Sequence, residues 1–594
     1  MDIFSLSVFV SMFIFFAIGN FAGRTVKDAD DYFVAGRRAP TILILGTLVA
    51  SVFSSTIFLG EAGFTYDGQM GPYMLFPGIT TAGYIYGALL FGRYLRRSRA
   101  PTVAEFFGQR FNSRRVQQLS GAIIICALSI YLLVVTQGGA LLLSDLTGLS
   151  YSQSLITAWL AYTLFTIYSG SKGVILTDTL MFILFAVATV VFSVVIISDL
   201  GGVSTAIERM AQIESKPEIA SWHGIVGEGT EWATPIDYLI WAITIDMAWS
   251  VVYAVSPWQS SRHLMARNEH VVIRASIYTA LAVILLQALI YGVGGLINLY
   301  NPNITPSETA MIWAAKNLVP DYLGAILLAG IMAAALSSAS TFLSLVGFSA
   351  SNDVLSRPQP LNLRTTRVLT LVVGAIALVT SFFFPPNIFW LMLFVGTVFT
   401  SSWGPVAFMS VWSKRITADA AFWGMATGFL FNVVPSGLEY IGIIDLPHYF
   451  SATIIGVTAS LVTIVMVSRA GEVTAAETAF RLRLHETPAE DRDATKARTT
   501  MIAAFALVAY GLTMPFLTLR FYVLPYQRGA GELAADGGIN WQTGEALLAL
   551  TSPLIYVPLG LYGAYLIWRG YHPRAAKPQA QNPVLSEELS SEKT

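Results

Sequence analysis

Four hydroxyl side chains, Ser337, Ser340, Thr341 and Ser344, stand at i, i+3, i+4 and i+7 in the apolar stretch ALSSASTFLS (335–344). On a helix that spacing gathers them onto one stripe. A hydroxyl in hydrocarbon costs free energy until something satisfies it, and a small hard cation ringed by oxygens does so. The stripe therefore points to an ion site at membrane depth. A second polar interruption lies in GTLVASVFSSTIFLGEAGF (46–64), where Ser51, Ser54, Ser55 and Thr56 fall mid-segment and Glu61 sits between Gly60 and Gly63. Small and hydroxylated residues lower helix propensity, and a helix broken at midplane frees carbonyls that bind cations. The plainer reading of the same residues is close helix packing. This segment alone leaves both open.

Other residues carry a second set of possibilities. Glu61 and Asp246 are acids deep in apolar segments, where carboxylates face a cavity or a partner. They suit contact with a substrate amine, proton carriage or a structural hydrogen-bond network, and no Lys or Arg is read inside the core spans to pair them. Asp178 stands near the cytoplasmic start of its segment and reads equally as a helix-start residue, with Thr177 as cap, or as an ion ligand. Trp249 and Tyr253 lie one turn apart and either line a solute cavity or pack. Gln259 either contacts solute or bonds to broken backbone. Nearby, Ser256-Pro257-Trp258 is a second possible interruption, or only a kink or a terminus near the cytoplasmic end.

These residues must be positioned by membrane-spanning helices. Of 594 residues 55% are hydrophobic and 12% charged, and mean hydropathy is +0.62. Apolar runs of about 20 residues recur, the length that crosses a hydrocarbon core, without the alternation of an outer-membrane barrel. Fifteen such segments are read between residues 2 and 569. The net charge of −1 offers no basic face for nucleic acid. The single Cys126 and six scattered His give no disulfide and no multi-cysteine or HExxH metal site. No GxxxxGK[ST] loop suggests ATP-driven transport. About 30 of the 35 Lys and Arg fall on one side of the span pattern, which places the N-terminus outside and the C-terminus in the cytoplasm. The first segment lacks a basic n-region and is read as a retained helix rather than a signal peptide. The stretch 469–499 is read as a solvated cytoplasmic linker, and the polar end from about 575 as disordered. The interrupted second and seventh spans are five apart and cross in opposite directions, the pattern of an inverted repeat.

Six motifs occur in order: DYFVAGRR (31–38), VASVFSSTIFLGEAG (49–63), TVAEFFGQRF (102–111), ILTDTL (175–180), SPWQSSRHLMARNEH (256–270) and AALSSAS (334–340). Together they closely resemble the sodium:solute symporter family over about residues 1–470. The resemblance implies an all-α polytopic membrane protein with a leucine-transporter-like 5+5 inverted-repeat core. The expected division is 1–39, an N-terminal helix and cytoplasmic loop; 40–199, the first repeat; 200–413, an extracellular loop and the second repeat; 414–468, two peripheral helices; 469–499, the linker; 500–569, two additional helices; and 570–594, a cytoplasmic tail. It implies a sodium site made by the carbonyls of Ala50, Phe53 and Ala334 and the hydroxyls of Ser337 and Ser338. In some relatives a second sodium is held by residues matching Asp178, Ser337, Ser340 and Thr341. Some relatives carry a polar residue where Val52 stands, so the resemblance carries over the carbonyls of the broken helix to the first site but not a side-chain aid from that position. Ser54, Thr56 and Ile57, around the break, fall where relatives touch substrate, with Glu61, Asp246, Trp249, Tyr253 and Gln259 as further candidates. On this division Ser337 is shared by both sites, Ser340 and Thr341 turn toward Asp178, and Ser344 only bonds back to its own helix.

The expected activity is sodium-coupled import of a small organic solute by alternating access in a bacterial inner membrane, with Na+ as the coupling ion. The expected partners are the solute and the lipid bilayer, with no nucleic acid and no obligate protein partner. Three rivals stand beside it: a proton-coupled symporter using Glu61 or Asp246, a membrane sensor on the same fold, and an integral-membrane enzyme, for which no convergent acid, base or metal set is visible. Three buried acids without a buried cation favour a zwitterionic, cationic or neutral solute over a dianion.

Overall fold

A computed structural model of the chain describes residues 2–76, 78–355 and 363–571. The polar end read as disordered lies outside the described residues. Within them the regular structure is helical, apart from an isolated bridge between Ala39 and Ala266. In chain order the longer helices, with the one that follows the Pro257 break, are α1 (Ile3–Gly23), α2 (Thr41–Val52), α3 (Thr56–Leu75), α4 (78–98), α5 (Arg114–Thr147), α6 (151–169), α7 (171–199), α8 (Pro235–Val255), α9 (Pro257–Met265), α10 (Glu269–Leu299), α11 (Asp321–Leu355), α12 (Leu363–Ser381), α13 (Ile388–Trp412), α14 (Ala418–Tyr440), α15 (His448–Ala470), α16 (Ala494–Ala530) and α17 (Gly544–Tyr571), with short helices in the connections between them. Counting α8 with α9, eleven helices among the described residues are long and apolar enough to cross a membrane, and α2 with α3, bent by 51°, makes a twelfth. The chain is a multi-pass membrane protein. Helices α4, α6 and α14 are further helices where the sequence places spans.

The breaks have local causes. After Val52 the chain leaves the helix, and the Ser54 hydroxyl accepts from the Thr56 amide at 3.1 Å, restarting it as an N-cap would. At the seventh span α8 ends at Val255, Ser256 takes an extended ψ of 148°, and Pro257, which has no amide hydrogen to lose, opens α9. The Pro257 signal is thus a full interruption, matching the one in the second span. Between α6 and α7 the chain turns at Gly170 (φ 54°, ψ −153°), where a Cβ would stand 2.5 Å from the Tyr32 ring.

At the centre lies α11, whose residues from Leu327 to Ala350 are all buried. It packs on α7, α5 and α1, as a helix apolar on every side must. At one end of the bundle the chain just after DYFVAGRR and the end of α4 both meet SPWQSSRHLMARNEH: the Ala39 amide donates to Met265 O (3.1 Å), and Arg96 Nε donates to Ala266 O (2.5 Å).

The segment after α15 departs from the solvated linker expected. A helix over Ala475–Leu484, capped by Thr474 and Glu477, docks onto the core. Arg97 forks onto Glu269 (2.5 and 2.8 Å) and also donates to Leu484 O, while Arg110 donates to Ser410 O (2.5 Å) and Glu477 O (3.2 Å). The core's own arginines thus reach the segment through its backbone carbonyls, while most of the segment's charged side chains stay exposed. Helices α16 and α17 pair with each other and lie against α10 and α4. The Tyr556 hydroxyl meets Thr81 (2.5 Å) and Gly78 O (2.9 Å). On the opposite face, the loop over 213–232 is held by Gly71 N donating to Ile219 O (2.9 Å), Tyr522 donating to Ala220 O (2.8 Å) and Glu545 accepting from Trp222 N (2.8 Å).

Candidate functional site

The break between α2 and α3 frees backbone oxygens, and α11 brings hydroxyls to them. Ser337 Oγ lies 3.1 Å from the Ala50 carbonyl; Ser338 Oγ lies 3.3 Å from both the Ala50 and Phe53 carbonyls. All four residues are fully buried, as is Ala334 one turn earlier on α11. A hard cation about 2.4 Å from two oxygens at right angles holds those oxygens about 3.4 Å apart, so this spacing fits a shared oxygen cage. The donors are all oxygen, the choice of a hard ion such as sodium rather than of a soft metal. Gly138 on α5 makes room: a Cβ there would stand 2.4 Å from Ser55.

The second group centres on Asp178, eight residues into α7 and therefore not a helix cap. Its Oδ1 accepts from Ser337 (2.7 Å) and its Oδ2 from Thr47 (2.5 Å) and from Arg262 (3.3 Å). Arg262 also donates to the Thr341 hydroxyl at 2.5 Å. In the sequence Arg262 lies in SPWQSSRHLMARNEH, just past the apolar seventh span, where a basic residue reads as part of a cytoplasmic loop. In the fold it is 2% exposed, because α9 tucks beneath the break and carries it inward. Asp178, Ser337 and Thr341 do converge, but around a guanidinium. Ser340 does not join them; its hydroxyl donates to Ser337 O at 2.8 Å, and Ser344 likewise bonds back to Ser340 O at 2.8 Å. Thr47 and Arg262 are members of this group that the sequence reading misses. Arg262 follows Pro257 in a basic motif, which is the one signal that pointed to it.

On the other side of the break a cavity holds about 610 Å³ of unfilled space, its open mouth included. Its walls come from α3, from the start of α4, from α8 and α10, and from the start of α13. Glu61, Asp246, Trp249 and Tyr253 line it as expected, together with Tyr73, Tyr238, Trp241, Gln287 and Tyr291, which the sequence reading did not single out. The remaining substrate candidates lie elsewhere. The Ser54 and Thr56 hydroxyls bond to each other at 2.5 Å inside the break, Ile57 is packed in the core, and Gln259 donates to Ser51 Oγ at 3.2 Å. These four maintain the interruption rather than wall the cavity. The Glu61 carboxylate accepts from the Tyr291 hydroxyl, its one hydrogen bond among the described residues.

Comparison with known proteins gives a consistent picture. Residues 32–428 match the model of the sodium:solute symporter family. The sodium/proline symporter of Escherichia coli (strain K12) is 25% identical over 464 residues, 74% of this chain and 89% of the relative. The sodium/pantothenate symporter of the same strain is 24% identical over 447 residues, 72% of this chain and 89% of the relative. Among solved structures, a Na+-coupled sialic acid symporter in a substrate-bound outward-open state superposes with a TM-score of 0.66 at 18% identity, covering 80% of this chain and 99% of that one, which shows the shared fold. The matched stretch takes in both interrupted helices, the hydroxyls of α11 and the cavity, and with two thirds of its length under the family model this chain belongs to the sodium:solute symporter family.

Proposed function

We propose that the protein is a secondary active symporter that uses one sodium ion per cycle to import a small organic solute. The observation that carries the reading is the meeting of the freed Ala50 and Phe53 carbonyls with the Ser337 and Ser338 hydroxyls. Sodium held there, with Ala334 O completing the set, would tie the interrupted helix to α11. That link favours one arrangement of the two repeats, in which solute enters the cavity from outside. Rocking of one repeat against the other then opens the cavity inward. A membrane potential adds about 2.3 kcal/mol per charge per 100 mV to the drive. The second ion position read from the sequence is served by Arg262, whose guanidinium already neutralises Asp178. The membrane is a bacterial inner membrane, with the N-terminus outside and the C-terminus in the cytoplasm; the one-sided distribution of Lys and Arg supports that orientation.

The test needs no solute. Purified protein is titrated with NaCl against KCl at constant ionic strength while thermal unfolding is followed. Sodium raises the melting temperature and potassium does not; in a Ser337→Ala, Ser338→Ala variant half-saturation rises at least tenfold, about 1.4 kcal/mol of binding. Equal effects of the two salts, or an unchanged response in the variant, would sink the reading.

A further inference from the structure

We propose that the solute is a small organic cation, its ammonium group held between the carboxylates of Glu61 and Asp246 inside a box of aromatic rings. The proposal rests on the symporter reading for the word solute; the binding chemistry stands on the cavity itself.

The charge inventory of the cavity is one-sided. Two carboxylates line it, and none of its lining residues is Lys, Arg or His. Arg262, buried beside the break, is not a lining residue and is already paired with Asp178. Asp246 has no hydrogen-bond or ion-pair partner among the described residues, and Glu61 has only the Tyr291 hydroxyl. Carboxylates at membrane depth face a partner or a cavity, and two ionised ones sharing one space repel until a cation enters. A ligand of positive charge would supply the partner they lack.

The remaining walls suit the same ligand. Tyr73 meets Tyr291 edge to face at 4.9 Å, and Trp249 meets Tyr253 at 70° and 5.8 Å, so that two corners of the cavity are built from rings set nearly at right angles. Ring faces attract ammonium groups, most strongly when water is excluded. Two buried polar atoms are also left over. Gln287 Oε1 and Trp249 Nε1, both on lining residues, have no hydrogen-bond partner among the described residues. Gln287 and Trp249 are 3% and 7% exposed. An anionic solute would enter against two carboxylates with no cation to receive it. A zwitterion would find a place for its ammonium and none for its carboxylate.

The experiment uses full-length protein in saturating NaCl, followed by thermal unfolding and tryptophan fluorescence. The probes are tetramethylammonium, choline and agmatine as cations, glycine betaine and proline as zwitterions, galactose as a neutral solute and pantothenate as an anion. At least one cation raises the melting temperature and changes the fluorescence. Glycine betaine, the carboxylate analogue of choline, binds at least tenfold more weakly than choline does. Asp246→Asn weakens the cation at least tenfold and leaves the solute-free response to NaCl unchanged; Glu61→Gln serves if Asp246→Asn fails to fold. Binding of proline, glycine betaine or pantothenate in preference to every cation overturns the proposal, as does a panel in which no cation acts, or cation binding untouched by both variants. A failure of the symporter reading is separate, because it appears as a missing response to NaCl before any solute is added.

Discussion

At the scale of single residues, Arg262 decides the character of the ion-binding region. Removing one partner of a buried ion pair leaves a charge with no compensation, typically about 3–5 kcal/mol. Arg262→Met should therefore lower stability by about 3 kcal/mol, and adding Asp178→Asn to that variant should recover most of the loss. Chemical denaturation of the two singles and the double checks this; additive losses would show that the pair is not coupled. The hydroxyls of α11 were legible because their spacing is a local property of one helix. Arg262 was not, because a basic residue just past an apolar segment reads as a loop residue, and only the tuck of α9 beneath the break buries it. Of the cavity aromatics, Tyr73, Tyr238, Trp241 and Tyr291 were hidden for a related reason. Aromatic residues near span ends look like interfacial anchors, and nothing local distinguishes those facing inward.

At the scale of elements, the two interruptions were signalled in the chain but not decided there: small and hydroxylated residues within 50–56 suit close packing as well as a break, and a proline at 257 suits a kink as well as an interruption. The packing around them depends on close approach between elements distant in sequence. A Cβ at Gly83 of α4 would stand 1.9 Å from the Ser250 carbonyl of α8, where backbone cannot yield. Gly83→Ala should cost about 1–3 kcal/mol, read from thermal unfolding, and should widen the cavity wall that α8 supplies. A variant as stable as the parent would mean that these helices are less tightly engaged. The docked segment after α15 was misread because high charge in a stretch usually means solvation, and its partners lie far away in sequence. It carries a pH response. Burial, and next the charge of Glu269, pushes the Asp491 carboxyl up from 3.8 to about 6. The folded state therefore binds that proton more tightly than the unfolded chain does. This contribution to stability is whole below about pH 4 and is lost as pH rises through about 6. Hydrogen exchange over 475–493 should be slower at pH 5 than at pH 7.5 after correction for intrinsic rates; the opposite order would refute the assignment.

At the scale of the whole molecule, the family portion ends near residue 428, yet the helices beyond it are no mere appendage. Through Tyr556 and Tyr571 the last helix holds α4 and the start of α10, and Tyr522 and Glu545 hold the loop beside α3. The extension thus grips the bundle at both ends. A chain stopped after Ala470 should lose that bracing and melt at lower temperature, with protease cleavage appearing first within 213–232. An unchanged melting temperature would show that the extension is only attached.

Arg262 also bears on how steep a gradient this carrier can build. A guanidinium in a cation's place is a counter-ion fixed to the protein: it compensates Asp178 on every cycle and is never delivered. If one sodium and one organic cation cross together, two charges move. At about 100 mV that is about 4.6 kcal/mol, enough for accumulation of roughly 2,000-fold before the sodium gradient is added. A second mobile sodium would raise that ceiling by roughly another fiftyfold at the same potential. Reversal potentials in proteoliposomes should accordingly give one sodium per solute, and a ratio of two would mean that the guanidinium steps aside during transport. Tethering the charge trades concentrating power for economy, since each solute taken up lets in one sodium ion that must later be pumped out.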